Sequence, residues 1–237
     1  MMCKEEKILL FAKESGDNED ILIAIKQISK LCLINDIDVD QLPMIDLISL
    51  FVKLRAISSS NIINIEYIDN EDKDTYDFDV DLDKLEIKDL NELKKIEIDE
   101  INWIELKYPK ASLDIKLIDC IKSINGDFEY SDKELEIFLD ELPLNIQEQL
   151  NTFSKKQPHL YFKVEYKNKN ERNRKIELSS MKDFFELALT KRNLSTYYHM
   201  IMFLVGKHHW SLRDVEDLIP FERDVYMDLI QSESKKM

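Results

Sequence analysis

Four carboxylates stand at every second position in Asp77-Phe78-Asp79-Val80-Asp81-Leu82-Asp83. Gathered carboxylates are the usual ligands of hard divalent cations, and a metal held by them would activate water for hydrolysis. Alternation, however, sets all four along one face of an extended strand and not around an ion. A calcium loop curls its oxygen ligands about the cation, typically with a Gly at the tight turn, and none is present here. A two-metal nuclease draws its carboxylates from several converging elements. The run reads as an exposed acidic strand face, which also discourages edge-to-edge pairing. A metal-dependent hydrolase using Asp77, Asp79 and Asp81 stands as the alternative.

Other chemistry is harder still to assemble. The histidines are His159, His199, His208 and His209, with no pair at the i, i+4 spacing of a helical zinc site and no Cys pair nearby. His208 and His209 follow Gly206 and Lys207 at a helix end, where cations suit the carbonyl dipole. Glycines stand only at 16, 126 and 206, so neither a dinucleotide fingerprint nor a phosphate-cradling loop can be built. No Gly-x-Ser-x-Gly occurs, and Cys32 and Cys120 fall on apolar faces as core residues. The expectation is a protein without catalytic, cofactor-binding or metal residues.

The C-terminal segment is the most distinctive. Trp210 precedes Ser211-Leu212-Arg213-Asp214, a helix start of the capping-box kind. Ile219-Pro220-Phe221-Glu222-Arg223 then opens another helix, with Pro at its first turn. Phe221, Val225 and Leu229 recur at i, i+4 and i+8, and Tyr226 and Ile230 widen the stripe. Such a stripe usually packs on a body, and it can equally dock a partner helix. The candidate partner-binding residues are Trp210, Phe221, Glu222, Arg223 and Tyr226.

The elements that must position these residues are mostly helical. Helical spacing runs from about Asp20 to Cys32 and, after a polar turn at Asn35 to Asp40, from Pro43 to about Ile57. The period then falls to two: Ile63, Ile65 and Tyr67, then Tyr76, Phe78, Val80 and Leu82, predict a β-hairpin around the charged tip 69–74. Short extended runs follow at Leu85 to Lys88 and within Lys95 to Tyr108. A helix is predicted from Ser112 to Ile124, a second from the Ser131/Glu134 capping box to Leu142, and a third from Pro143 to Lys155. His159 to Tyr166 and Arg174 to Leu178 predict a second hairpin. Helices over Met181 to Leu189, Ser195 to Val205, Ser211 to Leu218 and Pro220 to Ser232 complete the chain. The fold class is α+β, mostly helical, with two β-hairpins or small antiparallel sheets. The expected division is 1–108, carrying the first hairpin, and 109–237, carrying the second and the C-terminal helices, with the two able to pack as one domain.

Composition bounds the partners. The chain has 237 residues with a net charge of −15, which disfavours nucleic acid and anionic lipid as ligands. Three dispersed Cys make no disulfide framework and fit a reducing compartment. The acidic start, Met-Met-Cys-Lys-Glu-Glu, lacks the basic flank of a secretory leader. The most apolar runs are broken by Lys26, Lys30, Asp46 and Lys53, short of the roughly 20 residues that span a bilayer. A soluble protein is expected.

Charge is unevenly spread. Residues 66–105 hold 16 acids against 5 bases, a net of −11, whereas residues 155–192 hold 11 bases against 5 acids, a net of +6. Both regions can be solvated faces, or they can be complementary surfaces for a partner or another copy of the chain. The plan also repeats, Ile65-Glu66-Tyr67 recurring 99 residues later as Val164-Glu165-Tyr166. Internal duplication and chance likeness between two-stranded ribbons both account for this.

Four stretches in order carry a likeness to a known family. They are Leu42-Pro43-Met44-Ile45-Asp46 through Ile57-Ser58 with the first hairpin and Asp81 to Ile87; Asp119 to Ile124 with Glu134-Leu135, Phe138-Leu139 and Leu142-Pro143; Phe153, Pro158-His159-Leu160, the second hairpin and Phe184-Phe185; and Tyr197-Tyr198-His199, Trp210-Ser211-Leu212 and Ile219 to Tyr226. In these the chain resembles the baseplate hub assembly proteins of T-even-type contractile-tailed phages. The resemblance implies a non-enzymatic hub component or assembly factor (a chaperone) of tail morphogenesis, present in the host cytoplasm during assembly or in the virion. Its implied partners are other hub and tail proteins, among them the tape measure or the tail spike, with self-association also open. Relatives place Cys pairs in their hairpins, and neither hairpin here contains Cys, so no metal is carried over. A cytosolic regulatory adaptor would use the same surfaces with another partner.

Overall fold

The chain opens on a helix that its own sequence conceals. Cys3–Ser15 (α1) buries Cys3, Leu9, Leu10 and Ala12, but Glu5 and Glu6 are buried beside them, so no clean apolar stripe marks it. Sequence reading places no helix before Asp20. Gly16 ends α1 in the left-handed region at φ 68°, its N–H donating to the Ala12 carbonyl. The computed structural model describes residues 2–34, 37–90 and 95–234. Asn35 and Asp36 of the expected polar turn lie outside these.

Asn18–Cys32 (α2), capped by Asp17, packs on α1, and Met44–Ser58 (α3), entered through Pro43, packs on α2. Ile62–Ile68 (β1) and Thr75–Asp81 (β2) form the first hairpin, with Ile63 opposite Val80 and Tyr67 opposite Tyr76. Glu86–Lys88 (β3) pairs with His159–Lys167 (β7), which pairs in turn with Asn173–Leu178 (β8). Lys95–Glu97 (β4), Trp103–Leu106 (β5) and Ile121–Ile124 (β6) make a third antiparallel sheet, in that order. Asp132–Glu141 (α4), Leu144–Lys155 (α5), Met181–Ala188 (α6), Leu194–Met202 (α7), Leu212–Asp217 (α8) and Pro220–Ser234 (α9) complete nine helices among the described residues. The α+β class stands, with three small antiparallel sheets where two hairpins or small sheets are expected.

The helix expected over Ser112 to Ile124 is absent. A 3-10 turn, Leu117–Cys120, leads directly into β6, whose Ile121 and Ile124 face Leu106 and Ile104 of β5. Apolar residues three and four apart mimic a helix when a turn runs into a strand, and the β-branched pair favours the strand. The Ser131 capping box is present, with Ser131 N–H donating to Glu134 Oε2 at 2.8 Å.

The apolar residues form two clusters. The larger joins α1, α2, α3, the base of the first hairpin, β7, α6 and α7, with Phe51 of α3 stacked on Phe185 of α6 at 6.1 Å. The smaller runs from Ile96 to Phe153, so it draws on both sides of residue 108.

The acidic and basic hairpins close on each other. Tyr166 of β7 sits among Tyr67, Tyr76 and Phe78, its ring 4.9 Å from Tyr76 and 5.1 Å from Phe78. Its hydroxyl donates to buried Asp69 at 2.6 Å, and Arg174 Nε donates to the same carboxylate at 3.2 Å. Arg172 pairs with Glu71, Lys169 Nζ lies 2.6 Å from Asp74, and Lys169 N–H donates to Asp72 at 3.0 Å. The two tips are built alike: Asp69 and Asn168 hold the same place, each accepting from the backbone two residues on, before Lys73 (φ 63°) and Glu171 (φ 58°) turn back. At the hairpin tips, the opposed charges that suggested a surface for a partner or a second copy are therefore satisfied within one chain.

Candidate functional site

Asp77, Asp79 and Asp81 lie along β2 as alternation requires, opposite Glu66, Asn64 and Ile62 of β1. Asn64 Nδ2 donates to Asp79 at 3.2 Å, and Lys84 Nζ lies 3.1 Å from Asp81. Lys191 bridges Asn64 and Glu66 on the same face. The strand thus keeps its carboxylates apart, with local partners for Asp79 and Asp81. His199 Nδ1 lies 2.8 Å from the Ser195 carbonyl, and the His208 ring packs on Phe203 at 4.8 Å. Among the described residues no three His, Cys, Asp or Glu side chains are placed to hold a metal ion.

The C-terminal helices are held to the body by a buried charge cluster. Glu6 of α1, 1% exposed, takes Arg192 on one oxygen and Arg223 Nη1, at 2.5 Å, on the other. Asp224 completes the set, 2.9 Å from Arg192 and 2.8 Å from Arg223. Burial works against the Arg223 charge, but Glu6 foremost, with Asp224, outweighs it and raises its pKa above the ordinary guanidinium value. Arg223 is itself 1% exposed, so the fold places it inside the body and not on the surface expected for it. A buried guanidinium with two carboxylates cannot serve a partner without leaving its counter-charge uncompensated. The sequence gives one hint: Arg223 shares a helix face with Tyr226, Met227 and Ile230. It offers none that Glu6, 217 residues away, is the partner.

Locking Arg223 inward fixes what α9 turns outward. At about 100° per residue, Phe221, Val225 and Leu229 lie across the helix from Arg223. They are 55%, 39% and 55% exposed. Glu222 is exposed beside them. Tyr226 lies at the edge of the row, its ring edge-on to Trp210 at 5.0 Å, and Trp210 N–H donates to Leu204 across a π-helical turn, Phe203–Lys207. Trp210 is half-buried and supports Tyr226 more than it projects. The stripe read from sequence is thus divided, with Ile230 turned toward the body, Phe221, Val225 and Leu229 toward solvent, and exposed Tyr226 on the border against Trp210. On the other flank of α9 a groove of 570 Å³ is lined by Met200, Met202, Phe203 and Met227. No helix among the described residues is long and apolar enough to cross a membrane.

Comparison with known proteins falls on the larger part of this fold. A sequence model of the family described as T4 bacteriophage base plate protein matches residues 1–186. No curated protein and no solved structure matches the chain. Three of the four resembling stretches lie within the matched residues, and the fourth, with α8 and α9, lies beyond them.

Proposed function

Because this chain belongs to the T4 bacteriophage base plate protein family, we propose that it is a non-enzymatic component or assembly factor of the baseplate hub. It acts through protein–protein contacts made by the outer face of α9. One observation carries this reading: an apolar row, Phe221, Val225 and Leu229, stands uncovered on a helix whose opposite face is anchored by buried charge. Scattered exposed apolar residues are ordinary, but three in register along one rigid helix are the form in which helices dock. Trp210 and Tyr226 brace one edge of the row, and Glu222 borders it. The partners are other hub and tail proteins, the tape measure and tail spike among them.

Co-purification tests the reading. Coexpressed with the other base plate proteins, the chain should be retained by its partner. Phe221→Ala with Leu229→Ala should lose that partner at unchanged helicity and thermal midpoint, since both side chains face solvent. Retention of the partner by the folded double variant removes α9 from the interface. Tyr226→Ala alone should weaken retention by freeing Trp210.

A further inference from the structure

We propose that the outer stripe of α9 accepts a basic amphipathic helix, one carrying Lys or Arg on both borders of its own apolar row. This rests on the docking reading of α9 and adds the chemistry of the partner.

The rotation of α9 supplies the first reason. Phe221, Val225 and Leu229 sweep an arc of about 80°. Glu222 and Glu233 fall along one border of that arc, and Asp224 and Asp228 along the other. Acids therefore flank the apolar row on both sides over its length of about 12 Å. Asp224 is engaged by Arg192 and Arg223, but Glu222, Asp228 and Glu233 have no basic partner among the described residues. A helix laid on the row brings its borders against these carboxylates. An acidic border meets like charge, an apolar one strips their water without replacement, and a basic one satisfies them.

The second reason is that the bases at the tip of the second hairpin are taken up elsewhere in the fold. The bases of the second hairpin, Lys169, Arg172 and Arg174, are engaged by Asp69, Glu71 and Asp74. Lys191 is engaged by Glu66, and Arg192 by Glu6 and Asp224. A second copy laid α9 to α9 would oppose acid rows to acid rows on chains of net charge −15. A partner of opposite charge therefore suits the acid-bordered stripe better than a second copy does.

Two labelled synthetic helices of about 18 residues, with the same Leu pattern and either Lys or Glu at the bordering positions, test this by fluorescence anisotropy on the whole protein. The Lys helix should bind, weakening as salt is raised, and the Glu helix should bind at least tenfold more weakly. Phe221→Ala with Leu229→Ala should weaken the Lys helix tenfold or more, and Glu222→Lys, Asp228→Lys and Glu233→Lys together should reverse the preference. All five positions lie on the outer side of α9, so circular dichroism should be unchanged. Equal binding of the two helices, abolished by the Ala pair, would overturn the basic preference while leaving α9 as a docking face. Lys-helix binding indifferent to the Ala pair would reflect the overall acidity of the chain and overturn the site as well. A dimer in light scattering that the Ala pair dissociates would put a second copy on the stripe and overturn the proposal.

Discussion

Replacing Glu6 by Gln should loosen the attachment of α9 more than any surface change. The substitution keeps the shape of the side chain and removes the charge that faces both Arg192 and Arg223. Arg223, 1% exposed, would be left with Asp224 alone, a carboxylate whose side chain is 44% exposed. Removing one partner of a buried ion pair costs about 3–5 kcal/mol, and the remaining Asp224 places the expectation near the lower end, about 3 kcal/mol. At a urea dependence of about 2–3 kcal/mol per molar, the unfolding midpoint at neutral pH should fall by about 1–1.5 M. A local probe stands beside the cluster. Cys3 is fully buried, and burial foremost, with Glu6 adding, pushes its thiol up to about 11. Cys3 should resist maleimide in the parent and react readily in Glu6→Gln, measured with half-exposed Cys32 changed to Ser. Glu6→Met with Arg223→Met should recover much of the loss, because two apolar side chains leave no uncompensated charge. A cost below 1 kcal/mol with Cys3 still protected would refute the role given to this cluster.

The hairpin clasp should fail at both extremes of pH. Asp69 and Asp72 are held below the ordinary carboxylate range, first by the Tyr166 and Tyr76 hydroxyls respectively, so their contribution is complete above that range and is lost as pH falls through the lowered values. Tyr76 and Tyr166 are pushed up to about 12, by burial first and then by those carboxylates, so the phenols favour the closed form below the ordinary tyrosine value and release it as pH rises through about 12. Near-ultraviolet dichroism should change at both ends, and absorbance at 295 nm should show late-ionising tyrosines. Ser131→Ala should cost about 1 kcal/mol and speed amide exchange in α4, a helix with no fully buried residue to hold it once the cap is lost. Cys120, buried and pushed up to about 11 mainly by burial, should stay unmodified at pH 8 until the chain unfolds.

Where local pattern and tertiary packing agree, the sequence is readable. The Ser131 and Ser211 caps, both hairpins and the bounds of α5 and α6 follow from turn chemistry and period. It fails where long-range contacts override the pattern. Helix α1 is hidden because Glu5 and Glu6 occupy buried positions, and Glu6 is tolerated there only through Arg192 and Arg223. Residues 117–124 mislead because a turn entering a strand reproduces helical spacing. The α9 stripe was visible, but which half of it faces outward was not, since Arg223 decides the rotation and its partner lies on α1. Charge segregation was equally plain, yet composition cannot tell a surface awaiting a partner from one already closed by the other half of the chain.

The buried pair of Glu6 and Arg223 also sets an order of events during synthesis. Glu6 leaves the ribosome 217 residues ahead of its partner, a wait of about 10–45 s at ordinary elongation rates. Until Arg192 emerges the carboxylate has no partner for leaving water, and until Arg223 follows only one of its oxygens is paired, so α1 is not fully held in the core early. Once α9 arrives, its capture seats α1 and sets the rotation of α9 in a single step. The outward stripe is therefore displayed in its final orientation only on chains whose first helix is already in place, and a chain stopped before α9 presents neither.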